Sequence, residues 1–191
     1  MEEKPLNVIL TGASGMVGDG VLQECLKDAR IATILVLTRN SLGVNNPKLK
    51  EVVLPNLKFL SIVEDQLKGY STCFYCLGTT SVGKTEDEYY EVTNTLTVNV
   101  AQTLCKLNPH MVFCYISAAG ADNTGKGKIM WARVKGKTEN DLSELPFDNF
   151  YSFRPMLLTP YRGSKKRTAF INIFHGFSLS VEFYFPIHFA R

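Results

Sequence analysis

Three glycines, Gly12, Gly15 and Gly18, stand at equal spacing in "TGASGMVG", between the apolar run "NVILT" and a segment of helical period. That spacing suits chemistry on a diphosphate. Gly12 can make a tight turn, Gly15 can let the backbone approach the anion, and Gly18 can let a helix pack closely on the strand. A helix N-terminus adds free N–H donors and positive potential. Ser14, Met16 and Val17 therefore join the three glycines as a candidate dinucleotide cradle. A bare glycine triplet is as often a simple turn; the strand before it and the helix after it give this one its meaning.

Other residues with chemical potential follow at the ends of later apolar runs. "LTRN" places Arg39 where an NAD enzyme often carries a ribose-binding carboxylate. A guanidinium there can pair with a 2′-phosphate and stack on adenine, which favours NADP(H) over NAD(H). The alternative is a solvated surface arginine. In "VEDQL", Asp65 is a candidate acceptor at the adenine edge or, equally, a helix N-cap. "CLGTT" offers Leu77, Gly78 and Thr79 to the middle of an extended cofactor, with Gly78 allowing close approach. "YISAAG" brings Ser117 to the same edge. In "IMWARVKGKTEN", Trp131 and Lys135 fall one helical turn apart on one face.

The elements that must position these residues are short Val-, Ile-, Phe- and Tyr-rich runs alternating with helical segments. That is the pattern of an α/β doubly wound parallel sheet. The predicted strands are Asn7–Thr11, Thr33–Thr38, Lys58–Val63, Thr72–Leu77, Met111–Ser117 and Phe150–Arg154. The predicted helices are Gly15–Asp28, Glu86–Leu107 and Ile129–Leu145, with a shorter connection near Asp65–Gly69. Right-handed crossovers then favour strand order 3-2-1-4-5-6, a Rossmann arrangement with its crevice at the carboxyl ends of the strands.

Bulk properties fit one domain. A chain of 191 residues supports a single sizeable core. A net charge of +3 with no dense basic block argues against nucleic acid. The start "MEEKPLNVILTG" resembles neither a signal peptide nor an arginine-rich transit peptide, so the expected compartment is the cytoplasm. Five cysteines do not make a secreted disulfide framework. Cys73 and Cys76 lie in an apolar strand, where residues three apart point to opposite faces, so they read as buried thiols rather than a metal or redox pair. The three histidines lack ligand spacing, and no metal is expected.

Together, "TGASGMVG", "LTRN", "CLGTT", "YISAAG", the lysine of "WARVKGK" and "FRP" resemble the short-chain dehydrogenase/reductase superfamily, in its extended and atypical branches, from about Asn7 to Pro160. "MWARVKGKTEN" followed by "FRP" is similar to small NAD-dependent epimerase/dehydratase-like chains related to the Tat-interacting oxidoreductase-like proteins. The resemblance implies a serine, a tyrosine and a lysine as the catalytic group. Ser117 and Lys135 match that pattern, whereas Trp131 occupies the tyrosine's position. A phenol donates or accepts the substrate's proton, but an indole N–H only donates a hydrogen bond. Lys135 can still hold the nicotinamide ribose, and Trp131 offers a flat apolar wall, or is plain helix packing.

Two functions are therefore expected side by side. One is an NADP(H)-dependent reductase or epimerase-like enzyme, acting on a small carbonyl or sugar-derived compound and impaired at the proton donor. The other is a non-catalytic NADP(H)-binding regulator or redox sensor working through a protein partner. Residues 1–160 form the expected NAD(P)-binding domain, and residues 161–191 an aromatic C-terminal extension of it. That extension reads as a lid or packing element, with docking on a membrane surface the less favoured alternative.

Overall fold

In the computed structural model, residues 4–156 and 158 are described. Six parallel strands form one sheet in the order β3-β2-β1-β4-β5-β6. They are β1 (Leu6–Thr11), β2 (Ile31–Thr38), β3 (Leu49–Val53), β4 (Thr72–Tyr75), β5 (Val112–Ile116) and β6 (Asn149–Phe153). The helices are α1 (Met16–Lys27), α2 (Glu86–Tyr90), α3 (Leu96–Leu107) and α4 (Met130–Ser143). A π-helical turn at Glu91–Thr95 joins α2 to α3. This is the expected Rossmann topology. The expected segment 161–191 lies outside the described residues.

Register brings the strand ends to a common line. Thr11 pairs with Leu37 on one side and Tyr75 on the other; Tyr75 pairs with Tyr115, and Tyr115 with Ser152. The segments that follow these residues therefore emerge at one edge of the sheet. Two cores hold it. Ile9, Leu35, Tyr75, Phe113 and Tyr115 pack under α3 and α4 on one face, and Val8, Leu10, Ile34 and Val36 pack against Leu22 and Cys25 of α1 on the other. Cys73 belongs to the first core and Cys76 packs against the second, so the two thiols do point to opposite faces.

The third strand is a correction. Lys58–Val63 is not a strand but part of a 3₁₀ segment, Leu57–Leu67, which Asn56 caps by accepting from the Lys58 N–H. Its buried residues Leu57, Leu60 and Val63 recur every third position, with Leu67 following after a kink, while Phe59 and Ile62 face solvent. A period of three fits the 3₁₀ helix, not the two of a strand. The true β3, "LKEVV", lies at the sheet edge, and only Val52 of it is buried. An edge position explains why its sequence lacks the apolar run of an inner strand.

Candidate functional site

The β1–α1 turn is built by steric exclusion. Gly12 has φ +70°, and a Cβ there would lie 2.6 Å from the Cys76 carbonyl carbon. At Gly18 a Cβ would lie 2.2 Å from the Gly12 carbonyl oxygen, so only glycine lets α1 sit this close to the strand end. The Gly15 N–H donates to Gly12 O at 2.8 Å and closes the turn. Gly15 is also the N-cap of α1, and no side chain caps the helix there, which leaves amides of its first turn, at Met16 and Val17, for an anion.

Beside this turn is a cavity of about 230 Å³, lined by Ser14 and by Thr38, Arg39, Asn40, Ser41 and Leu42. The loop carrying Arg39 is tied down from β3: Glu51 accepts from the Ser41 hydroxyl at 2.6 Å and from the Leu42 N–H at 2.9 Å. Arg39 thus borders a space adjoining the glycine turn. Asp65 does not stand at the end of β3: it lies inside the 3₁₀ segment, caps no helix, and pairs with Lys68 at 2.7 Å with a solvated side chain. The correction of the third strand removes the premise on which its adenine role rested.

At the end of β4, the Leu77 N–H donates to the Thr11 hydroxyl at 3.3 Å, locking two strand ends together. A Cβ on the next residue, Gly78, would meet nothing within 4 Å. Gly78 and the half-buried Thr79 therefore border open space at the carboxyl edge. The residues on this edge fit a nicotinamide dinucleotide: a turn with free amides, an arginine-lined cavity beside it, and a backbone that a flat ligand can approach.

The other half of the edge is made by β5, β6 and α4. A Cβ on Gly120 (φ +87°) would come 3.5 Å from the edge of the Trp131 indole, so the half-buried ring rests on the loop after β5. One turn later, the Lys135 ammonium donates to Ile116 O at 3.4 Å and sits 5.4 Å above the Tyr115 ring centre. Burial pulls its pKa down to about 8, against the opposing charge of Glu139. Burial also drives the Tyr115 phenol well above its usual range, so this tyrosine does not replace the missing acid.

A further turn along the same face is a residue that sequence reasoning missed. Glu139 is only 5% exposed. Arg154, at the end of β6, reaches it through Nε at 3.0 Å and through Nη2, and Asn123 of the β5–α4 loop donates to it at 3.0 Å. Burial raises the Glu139 pKa, but hydrogen bonds from Arg154 and Asn123, with the nearby Ser117 and Ser152 hydroxyls, outweigh it and hold the carboxyl at about 2. Ser117 is buried, and its hydroxyl lies near that carboxylate without a hydrogen bond of full geometry. Gly136 was missed as well: a Cβ there would lie 2.0 Å from Asp122 O. The available signals were the i, i+4 step from Lys135 to Glu139 and the arginine of "FRP".

No family model matches the chain. Over 154 residues it is 28% identical to Protein HTATIP2 of Rattus norvegicus, covering 80% of this chain and 62% of that protein's length. Over 185 residues it is 26% identical to the mitochondrial protein fmp52 of Aspergillus clavatus, covering 90% of this chain and 75% of the relative. Among solved structures, a short chain dehydrogenase from Burkholderia cenocepacia in complex with NADP superposes with a TM-score of 0.65 at 13% identity, covering 84% of this chain and 76% of the other. The Bordetella bronchiseptica enzyme WbmG in complex with NAD gives 0.61 at 14% identity, covering 78% and 53%. The fold is thus the NAD(P)-binding fold of oxidoreductases.

The cytoplasmic expectation is corrected by these relatives. Several fungal ones are named as mitochondrial, which points away from a purely cytoplasmic protein. Among the described residues, no helix is long and apolar enough to cross a membrane.

Proposed function

We propose that the chain is a member of the short-chain dehydrogenase/reductase superfamily, in its extended and atypical branches, that it binds NADP(H), and that it acts as a reductase with an altered proton donor. The observation that carries this reading is the glycine turn, whose conformation at Gly12 and whose packing at Gly18 exclude any side chain. Gly12, Ser14, Gly15, Met16, Val17 and Gly18 hold the diphosphate, and Arg39 pairs with the 2′-phosphate in the cavity beside them. Leu77, Gly78 and Thr79 line the path toward the nicotinamide, and Lys135 holds its ribose hydroxyls. Bound there, the reduced cofactor supplies a hydride.

Around the reacting carbonyl, Ser117 is assigned to the substrate oxygen, a role that requires its hydroxyl, buried near Glu139, to turn outward. The Trp131 indole polarises it with one N–H and excludes water with its face, but it cannot release a proton at neutral pH. Loss of a positioned acid costs on the order of 10²- to 10⁴-fold in rate. Restoring it by Trp131→Tyr should raise turnover of small carbonyl substrates by at least about tenfold, measured as NADPH oxidation. Arg39→Asp should weaken NADPH binding at least about tenfold more than NADH binding, and equal losses would contradict the role of Arg39.

The same tryptophan favours a second reading, a non-catalytic NADP(H)-binding regulator that acts through a protein partner. It gains if both wild type and Trp131→Tyr bind NADPH tightly and neither turns over any carbonyl.

A further inference from the structure

We propose that Glu51, on the edge strand β3, is a positioning residue for the choice of cofactor: it holds residues 39–42 in place, so that Arg39 stays on the wall of the cavity beside the glycine turn and meets a 2′-phosphate there. This rests on the preceding reading that the chain binds NADP(H).

One short stretch of chain gives the cavity its shape. Of its six lining residues, five are consecutive, Thr38 to Leu42, and only Ser14 comes from the glycine turn. Arg39 is the one charged residue among them. That stretch opens the connection 39–48 between β2 and β3, which contains no helix and in which Arg39, Asn40 and Ser41 are exposed. Ordinary loop freedom would let the arginine swing away.

Glu51 removes that freedom from outside the cavity. It accepts from the Ser41 hydroxyl at 2.6 Å and from the Leu42 N–H at 2.9 Å, one bond to each carboxylate oxygen, without lining the space itself. Charge-assisted bonds of this kind are the strong ones, and two of them fix direction as well as position. The same carboxylate decides what Ser41 can offer. Its proton goes to Glu51 and it accepts from the Gly43 N–H at 3.2 Å, so Ser41 acts as wall and Arg39 is left to pair with the anion.

The place of Glu51 in the sheet supports this purpose. It pairs in register with Val36, which belongs to the core under α1, and Leu42 packs against that same core. Paired residues of parallel strands share a face, so an apolar side chain is the ordinary choice at position 51. A half-buried carboxylate is tolerated there because both oxygens are satisfied, and the groups that satisfy them belong to the cavity wall. The far end of the connection has its own anchor, Lys48, whose ammonium donates to Asp28 O at 2.8 Å and Leu26 O at 3.3 Å. Glu51 governs the near end.

Its charge works against its position. A carboxylate repels a phosphate, so a purely electrostatic role predicts tighter NADPH binding once the charge is removed. The positioning role predicts the reverse. NADH has no 2′-phosphate for Arg39 to pair with, so the tie should matter to NADPH alone.

The test measures the Kd of the full chain for NADPH and for NADH by calorimetry, in wild type, Glu51→Ala, Glu51→Gln and Ser41→Ala, with melting followed by Trp131 fluorescence to confirm folding. Glu51→Ala should weaken NADPH at least about tenfold and NADH less than about threefold. Glu51→Gln, which keeps an acceptor oxygen without the charge, should return NADPH to within about threefold of wild type, and Ser41→Ala, which breaks one of the two bonds, should fall between. Equal losses for the two nucleotides, or tighter NADPH binding in both Glu51 variants, would overturn the proposal while leaving NADPH binding by wild type intact. Should Glu51→Ala fail to fold, Ser41→Ala decides, and an unchanged ratio of the two Kd values overturns the proposal. Absence of NADPH binding by wild type would bring down this inference and the reading beneath it.

Discussion

The two ends of the carboxyl edge use one packing device for different purposes. Near β1, Gly18 presses α1 onto the Gly12 carbonyl; near β5, Gly136 presses α4 onto the Asp122 carbonyl. At the first end, the groups offered to a ligand are backbone amides of an uncapped helix turn. At the second, the proposed groups are side chains, Ser117, Trp131 and Lys135, beside the Glu139–Arg154 pair. Backbone chemistry survives changes of neighbouring side chains, whereas side-chain chemistry changes with one substitution. On the proposed reading, a tryptophan in the tyrosine's place changes the chemistry of this end without disturbing the fold.

Breaking the device at each end should separate the two roles. Gly18→Val forces α1 off the strand end and should abolish NADPH binding, at least about 100-fold by calorimetry, with roughly 3 kcal/mol of stability lost in urea. Gly136→Val should cost similar stability yet keep NADPH affinity within about tenfold, because the diphosphate turn is untouched. Next in size is Glu139→Ala, which strands the half-exposed Arg154 and should cost about 2 kcal/mol.

Glu139 also gives the α4 end a pH signature. Its carboxyl is held at about 2 against a free value of 4.5. A depressed carboxylate contributes stability that is present above the unfolded value and is lost as pH falls toward 2. Urea unfolding between pH 5 and about 2 should show this loss in wild type and a flatter profile in Glu139→Gln. Lys135 acts in the alkaline range. Its pKa of about 8, below the free 10.5, means the unfolded chain binds more protons between those values, so stability should rise with pH there. In Lys135→Met that rise, on the order of 1–2 kcal/mol, should disappear. Smallest of all, Ile62→Lys should change stability by less than about 0.5 kcal/mol, because Ile62 is 74% exposed. A large loss would contradict the 3₁₀ segment.

The cofactor half was more legible in the sequence than the substrate half, for physical reasons. Steric constraint at Gly12 and Gly18 admits only one residue type, so it leaves a mark at fixed spacing. The inner strands β1, β2, β4 and β5 are buried and read as apolar runs. The edge strand β3 is not, and the more apolar 3₁₀ segment reads as a strand in its place, carrying Asp65 with it. Glu139, Asn123 and Arg154 come from three segments, and their encounter depends on how α4 packs against β6. No local spacing announces such a meeting. Gly136 escaped notice because a single helical glycine has no repeat to mark it.

The most direct test of the cofactor claim is a calorimetric titration of the full chain with NADPH and, separately, with NADH. Saturable one-to-one binding, tighter for NADPH, is the predicted result. A flat titration with both nucleotides, together with an unchanged melting temperature, would contradict it.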